Sequence, residues 1–214
     1  MFHDRKDAGI QLAETLKHYK GNSSVLVLEL PRGGVVVGFE IARYLNVPMD
    51  VFIVRKIGFP TEPEFAIGSV SETGTVYLNQ SVISAYRVAD KYIADETAHQ
   101  KEEIAKKVKL YREGKKIGGL ENKIIILVDD GVATGATMKA AITTLKKEKI
   151  EKLVIALPVA PPSTAAELKE MADEFICLET PYDFFAVGSY YHNFKQVSDV
   201  EVIELLQKTH TSSE

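Results

Sequence analysis

The sequence predicts an α/β fold, a mainly parallel five-stranded sheet flanked by helices, and two patterns carry that prediction. Five runs of strand length, rich in Val, Ile and Leu, stand at 25–30 (VLVLEL), 51–54 (VFIV), 124–128 (IIILV), 153–159 (LVIALPV) and 175–178 (FICL). Each is apolar without alternation, as a strand covered on both faces requires. Between them lie segments of helical period: Val35, Phe39, Ala42 and Leu45; Met138, Ala141, Ile142 and Leu145; and Ala165, Leu168 and Met171. Strand alternating with helix points to right-handed crossovers between parallel strands, and ligands of such sheets bind beyond the carboxyl ends of the strands.

In chain order, the first strand ends in LPRGG (30–34), and the helix over 35–45 leads to the second strand. Residues 57–79 then hold Gly58, Pro60, Pro63, Gly68 and Gly74, and FAIGSVSETGTVYLN reads as a small hairpin turning at Glu72-Thr73-Gly74. A long helical stretch follows over 81–116, with Val82, Tyr86, Ala89, Ile93, Ile104, Val108 and Tyr111 as its apolar residues. Its mixed charges, paired four apart at Glu102–Lys106 and Glu103–Lys107, describe a solvated face, and the stretch is read as a helical insertion. The third, fourth and fifth strands alternate with helices over 136–147 and 164–172. A last helix begins at Ser198, where Ser198 and Glu201 have capping-box spacing, and the polar THTSSE is expected to fray. The expectation is one domain over 1–214 carrying these appendages.

A chain of 214 residues, 45% hydrophobic, can bury one substantial core. Its net charge of -4 lacks the basic excess by which nucleic-acid binders displace counterions, so small-molecule partners are expected instead. The single cysteine, Cys177, sits in the apolar FICL and reads as a core thiol. MFHDRKDAGI has charges where a signal peptide needs an apolar segment, and no apolar run approaches the ~20 residues of a membrane span. A soluble, cytoplasmic protein is the expectation.

The chemistry concentrates in ILVDDGVATGAT, residues 126–137. A buried strand stops at Asp129 and Asp130, and a loop of small residues (Gly131, Val132, Ala133, Thr134, Gly135, Ala136, Thr137) opens a helix. Small side chains let a phosphate reach backbone N–H groups and the helix dipole, and the Thr134 and Thr137 hydroxyls add donors. A nucleoside-triphosphate loop would place a lysine directly after Gly135, yet Ala136 stands there and no lysine comes before Lys139. Two carboxylates beside a phosphate cradle repel the ligand unless they meet hydroxyls, a cation or a developing positive charge. A ribose 5-phosphate supplies these: its 2- and 3-hydroxyls donate to Asp129 and Asp130, magnesium bridges ribose and diphosphate oxygens, and cleavage at C1 develops oxocarbenium character.

In these residues the sequence resembles the type I phosphoribosyltransferases, whose motif runs from a hydrophobic strand through two acidic residues to a Thr-Gly-x-Thr loop. At one position it is similar to the adenine and orotate members, because Ala133 stands where hypoxanthine-guanine enzymes have an aspartate. The resemblance covers roughly residues 25–194, with 81–116 as its main departure.

What the resemblance implies can be set on residues of this chain. Arg32, Gly33 and Gly34 take the place of the loop that holds the pyrophosphate of 5-phosphoribosyl 1-pyrophosphate (PRPP), a fork of donors beside glycines that allow close approach. The Pro31–Arg32 peptide is accordingly expected to be cis. The alternative reading of RGGVVVG as a dinucleotide fingerprint has the wrong glycine spacing, and the second strand ends in Arg55-Lys56 where an acidic residue would be wanted. Lys56 is expected to reach the pyrophosphate. The segment after it falls where the family carries its flexible catalytic loop, with Glu64, ahead of Glu62, as acid or base toward the nucleophile. TPYDFFAVGSYYHNF (180–194), the core of a hood over 180–197, resembles a base-covering FVVGY, which makes Phe185 the base stacker and Val187 a pocket wall. The lysine that reads a purine 6-oxo group has no counterpart in PVAPPSTAA (158–166). The implied reaction passes the phosphoribosyl group from PRPP to a nitrogen nucleophile, a nucleobase, with Mg2+ held by Asp129 and Asp130 and the same aspartates stabilising charge at C1. A homo-oligomer is expected. Two alternatives stay open: a regulator that senses PRPP without transferring it, and a hydrolase of a related ribosyl phosphate.

Overall fold

The computed structural model describes residues 1–210, the side chains of Glu64 and His210 excepted. The chain divides into two compact units, one made of Met1–Val51, Gly119–Gly135 and Lys149–Glu214, the other of Phe52–Gly118 and Ala136–Glu148.

The first unit is built on a parallel sheet of β1 (Val25–Glu29), β2 (Met49–Val51), β6 (Ile124–Val128), β7 (Lys152–Val159) and β8 (Glu174–Glu179) in the order β2-β1-β6-β7-β8. Every residue of β1 and β6 is buried, which is why both read as unbroken apolar runs. Their in-phase pairing, from Val25 with Ile124 to Glu29 with Val128, ends both strands at one level, where LPRGG and DDG leave the sheet. Helices α1 (Arg5–Thr15), α2 (Gly34–Leu45), α6 (Pro162–Glu170) and α7 (Asp199–His210) belong to this unit. Asp4 caps α1 by accepting from the Asp7 N–H at 2.9 Å, and Ser198 does the same for α7 from the Glu201 N–H at 3.2 Å. Asn46, in the left-handed region, ends α2.

The second unit has an antiparallel sheet, β3 (Val54–Phe59), β4 (Glu62–Ser71) and β5 (Val76–Leu78), together with α3 (Gln80–Tyr86), α4 (Asp90–Arg112) and α5 (Ala136–Leu145). Ile57, Ile67, Ile83, Val88 and Ile93 form its core. The expected loop and helical insertion therefore have a hydrophobic centre of their own.

The five sheet strands and their order of helices follow the sequence reading, with three local corrections. The run at 51–54 is not one strand: β2 ends at Val51, Phe52 and Ile53 cross over buried, and Val54 starts β3 in the other sheet. Residues 57–79 carry strand through most of their length, with the hairpin turning after Ser71 as read. The 81–116 stretch breaks at Arg87, whose left-handed backbone (φ 52°) ends α3 before α4 begins at Asp90. An N-terminal helix, α1, had no counterpart in the reading. Of the THTSSE tail, Thr209 and His210 complete α7, and the remainder lies outside the described residues.

Candidate active site

The site assembles where β1 and β6 end side by side. From β1 the chain passes through Leu30, the cis Pro31–Arg32 peptide and Gly33 into α2, and from β6 it passes through Asp129 and Asp130 into the small-residue loop. The Leu30 N–H donates to the Val128 carbonyl at 3.0 Å, which ties the two exits together.

Lack of side chains at Gly33 and Gly34 allows the contact. A Cβ on Gly33 would fall on the Asp130 carboxylate and lie 3.1 Å from the Arg5 Nε. A Cβ on Gly34 would lie 3.0 Å from the Asp129 Cα and 3.2 Å from its Oδ1. The expected diphosphate loop and the acidic pair are therefore in van der Waals contact within one unit. Gly131 follows at φ 142°, a conformation that glycine adopts freely, with its α position against Val187 and Val159. The loop is held from outside by the Val132 N–H donating to the Val159 carbonyl at 3.0 Å and by the Thr164 hydroxyl donating to the Ala133 carbonyl at 2.7 Å. Ala133 and Thr134 are exposed and Gly135 is buried at φ 69°. Ala136 and Thr137 are the first residues of α5.

The two aspartates differ electrostatically. Asp130 accepts from the Arg5 Nε at 2.7 Å, and its side chain keeps 14% of its surface exposed. Burial pushes its carboxyl up and the Arg5 charge opposes that rise. Asp129 is held well above the ordinary carboxylate range, first by burial and then by the charge of Asp130, although it accepts from the Asp130 N–H at 2.8 Å. Tyr191 closes the arrangement by donating its hydroxyl to the Asp130 carbonyl at 2.6 Å.

The hood segment divides its residues. Val187 sits half-buried against the Gly131 position and packs with Phe2, Ala8, Val159 and Tyr191. Phe184 stacks on Tyr190 with 5.4 Å between ring centres. Phe185 is 89% exposed, so it does not close the core. Arg32 is half-buried at the loop apex. Lys56 and Glu64 belong to the second unit: Lys56 lies on β3 opposite Ser69, and Glu64 lies in β4 with its side chain outside the described residues. Cys177, read as a buried core thiol, is only half-buried on the edge strand β8, where desolvation still raises its thiol to about 11.

Arg5 is the site residue that sequence reading missed. It stands in a charged N-terminal stretch, 125 positions from Asp130, where local pattern offers only the Asp4 cap of α1.

A family model described as phosphoribosyl transferase domain matches residues 2–195. Two Mycobacterium tuberculosis proteins, MT0597 of strain CDC 1551 and Rv0571c of strain H37Rv, each named provisionally as a phosphoribosyl transferase, are 42% identical over 98% of this chain. The chain spans about half of their length, 47%. The crystal structure of TT1426 from Thermus thermophilus is 42% identical, with a TM-score of 0.87 over 97% of this chain and 98% of that one. A hypoxanthine phosphoribosyltransferase from Staphylococcus aureus shares the fold at 16% identity, with a TM-score of 0.50 over 85% of this chain and 75% of its own.

Proposed function

Because the chain belongs to the phosphoribosyl transferase domain family, we propose that it transfers the 5-phosphoribosyl group of PRPP to a nitrogen nucleophile, a nucleobase, and releases pyrophosphate. The observation that carries this reading is the direct packing of Gly33-Gly34 on Asp129-Asp130. One ligand spanning that contact meets backbone donors and Arg32 on one side and carboxylates on the other. A diphosphate joined to a ribose has that order of groups.

In this reading Arg32 and the Gly-Gly backbone take the diphosphate, and the loop from Gly131 toward Thr137 takes the 5-phosphate. Asp129 and Asp130 accept from the ribose hydroxyls, and their negative charge favours the oxocarbenium character that grows as the C1–O bond breaks. The nucleophile approaches C1 from the face opposite the diphosphate, so configuration inverts. Val187, against Gly131, is a wall for the acceptor. Magnesium takes one or two carboxylates and completes its shell with water and substrate oxygens, so the adjacent Asp129 and Asp130 suit it without the three-residue cluster that is absent among the described residues. When bound it would neutralise the leaving diphosphate.

Calorimetric titration with PRPP, with and without magnesium, on the wild type and on Asp129→Asn/Asp130→Asn tests the site, and pyrophosphate release across a nucleobase panel tests the transfer. Magnesium-dependent binding lost in the variant, with release prompted by one base, is the expected result. Binding without release from any base would favour a PRPP sensor, and release of phosphate or ribose phosphate a hydrolase. Absence of binding would overturn the reading.

A further inference from the structure

Arg5 makes three contacts with two separate parts of the first unit at once. Its Nε donates to the Asp130 carboxylate at 2.7 Å, an Nη donates to the Lys195 carbonyl at 2.6 Å, and the guanidinium plane lies 3.8 Å from the centre of the Phe194 ring. The residue itself is buried, at 9% exposure. It does not act alone. The Phe2 N–H donates to the Tyr190 carbonyl at 2.8 Å, and the His192 and Asn193 N–H groups donate to the Phe2 and His3 carbonyls at 2.9 and 3.0 Å. Phe2 also packs its ring on Tyr191, with 5.4 Å between centres, and Tyr191 holds the Asp130 carbonyl. Residues 2–5 and 190–195 thus form one clasp, and that clasp grips Asp130 by its side chain through Arg5 and by its main chain through Tyr191.

From this geometry we propose that Arg5 is a positioning residue for the transfer, fixing Asp130 and the 190–195 segment in a single arrangement. The inference rests on the function proposed above. A guanidinium suits the task because its planar fork serves two acceptors in fixed directions while its face stacks on a ring; an ammonium is a point donor that cannot do all three. The place of Gly33 in the same contact explains why position matters. With Asp130 filling the space that a Gly33 side chain would occupy, a shift of its carboxylate moves it within or out of the proposed diphosphate loop. Residue 187 precedes the clasp in the same segment and lies on Gly131, so loosening residues 190–195 disturbs the acceptor wall as well as the carboxylate.

The protein contains no tryptophan, so Phe194→Trp supplies a single fluorescent reporter of the clasp. The test compares Phe194→Trp alone with Phe194→Trp combined with Arg5→Ala or Arg5→Lys, reading emission maximum, kcat and KM for PRPP and base. Arg5→Ala is expected to red-shift the emission and lower kcat about 100-fold, the scale of an ångström-sized misplacement, with the KM for PRPP changed less than about threefold. Should that variant fail to fold, Arg5→Lys decides, with kcat lowered about tenfold in a protein whose urea midpoint is close to that of the parent. An unshifted emission, an unchanged kcat, or a loss confined to the KM for PRPP would each overturn the positioning role. If the wild type itself releases no pyrophosphate, the transferase reading fails and the catalytic part of this inference with it, while the emission shift still decides whether Arg5 holds the segment.

Discussion

Glu29 offers a sharp test of the electrostatics beneath the site. It ends β1 with no exposed surface, its side chain lies against Gly38 of α2, and neither carboxyl oxygen has a hydrogen-bond partner among the described residues. Burial, and after it the charge of Asp50 on the neighbouring strand, hold its pKa well above the ordinary glutamate value. The folded protein therefore binds this proton more tightly than the unfolded chain. The stability that goes with it is complete below the unfolded value of about 4.3 and declines as pH rises, by about 1.4 kcal/mol per unit, until the folded carboxyl itself ionises. Glu29→Gln has the same shape and nothing to titrate. The variant is expected to gain on the wild type as pH increases, by about 1 kcal/mol over the first unit above that value and about 1.4 kcal/mol over each unit after it until the folded carboxyl ionises. Urea unfolding of both proteins at half-unit steps from pH 4 to 8 measures the difference, and subtraction removes the groups that titrate alike in both. Parallel stability curves would refute the argument, and so would a wild type that gains on the variant toward alkaline pH.

Three further outcomes follow from the same physical description. Gly131→Ala places a Cβ 2.6 Å from Val187 and 2.9 Å from Val159 at φ 142°, and should cost about 1–3 kcal/mol in urea unfolding, whereas Gly118→Ala, with nothing within 4 Å, should be near neutral. Cys177, raised to about 11, should react with iodoacetamide at pH 8 roughly 100-fold more slowly in the folded protein than in urea; equal rates would contradict its burial. Arg112 and Glu72 form an ion pair with side chains 8% and 1% exposed, and Glu72 also accepts from the Ile53 N–H at 2.9 Å. Arg112→Met leaves that carboxylate buried without its cation and should destabilise the protein by about 3–5 kcal/mol; a loss below about 1 kcal/mol would show the pair to be solvated.

The legible parts of the fold were those in which local sequence repeats the environment. Ile124–Val128 reads as a strand, and is one, because a strand covered on both faces selects the same apolar type at each position. The Asp129-to-Thr137 loop was readable as a strand-to-helix connection for a related reason: its small residues follow one another directly, and succession is visible. The 81–116 stretch misled because helical period continues through its break. The left-handed Arg87 carries no glycine or asparagine to announce it.

The sequence by itself determined the parallel five-stranded sheet, the crossover helices, the capping of α7 by Ser198 and the place of the small-residue loop between β6 and α5. Tertiary structure alone decided that residues 52–118 have a core of their own, that Val54 leaves the strand its neighbours suggested, and that Gly33 and Gly34 rest on the aspartates. It alone decided which aspartate is paired, because the partner comes from a helix 125 residues away. Periodicity and turn chemistry act between neighbours in the chain and leave their mark there. A salt bridge or a missing Cβ takes its meaning from what the fold brings alongside it, and a lone arginine in MFHDRKDAGI looks the same whether it faces water or a buried carboxylate.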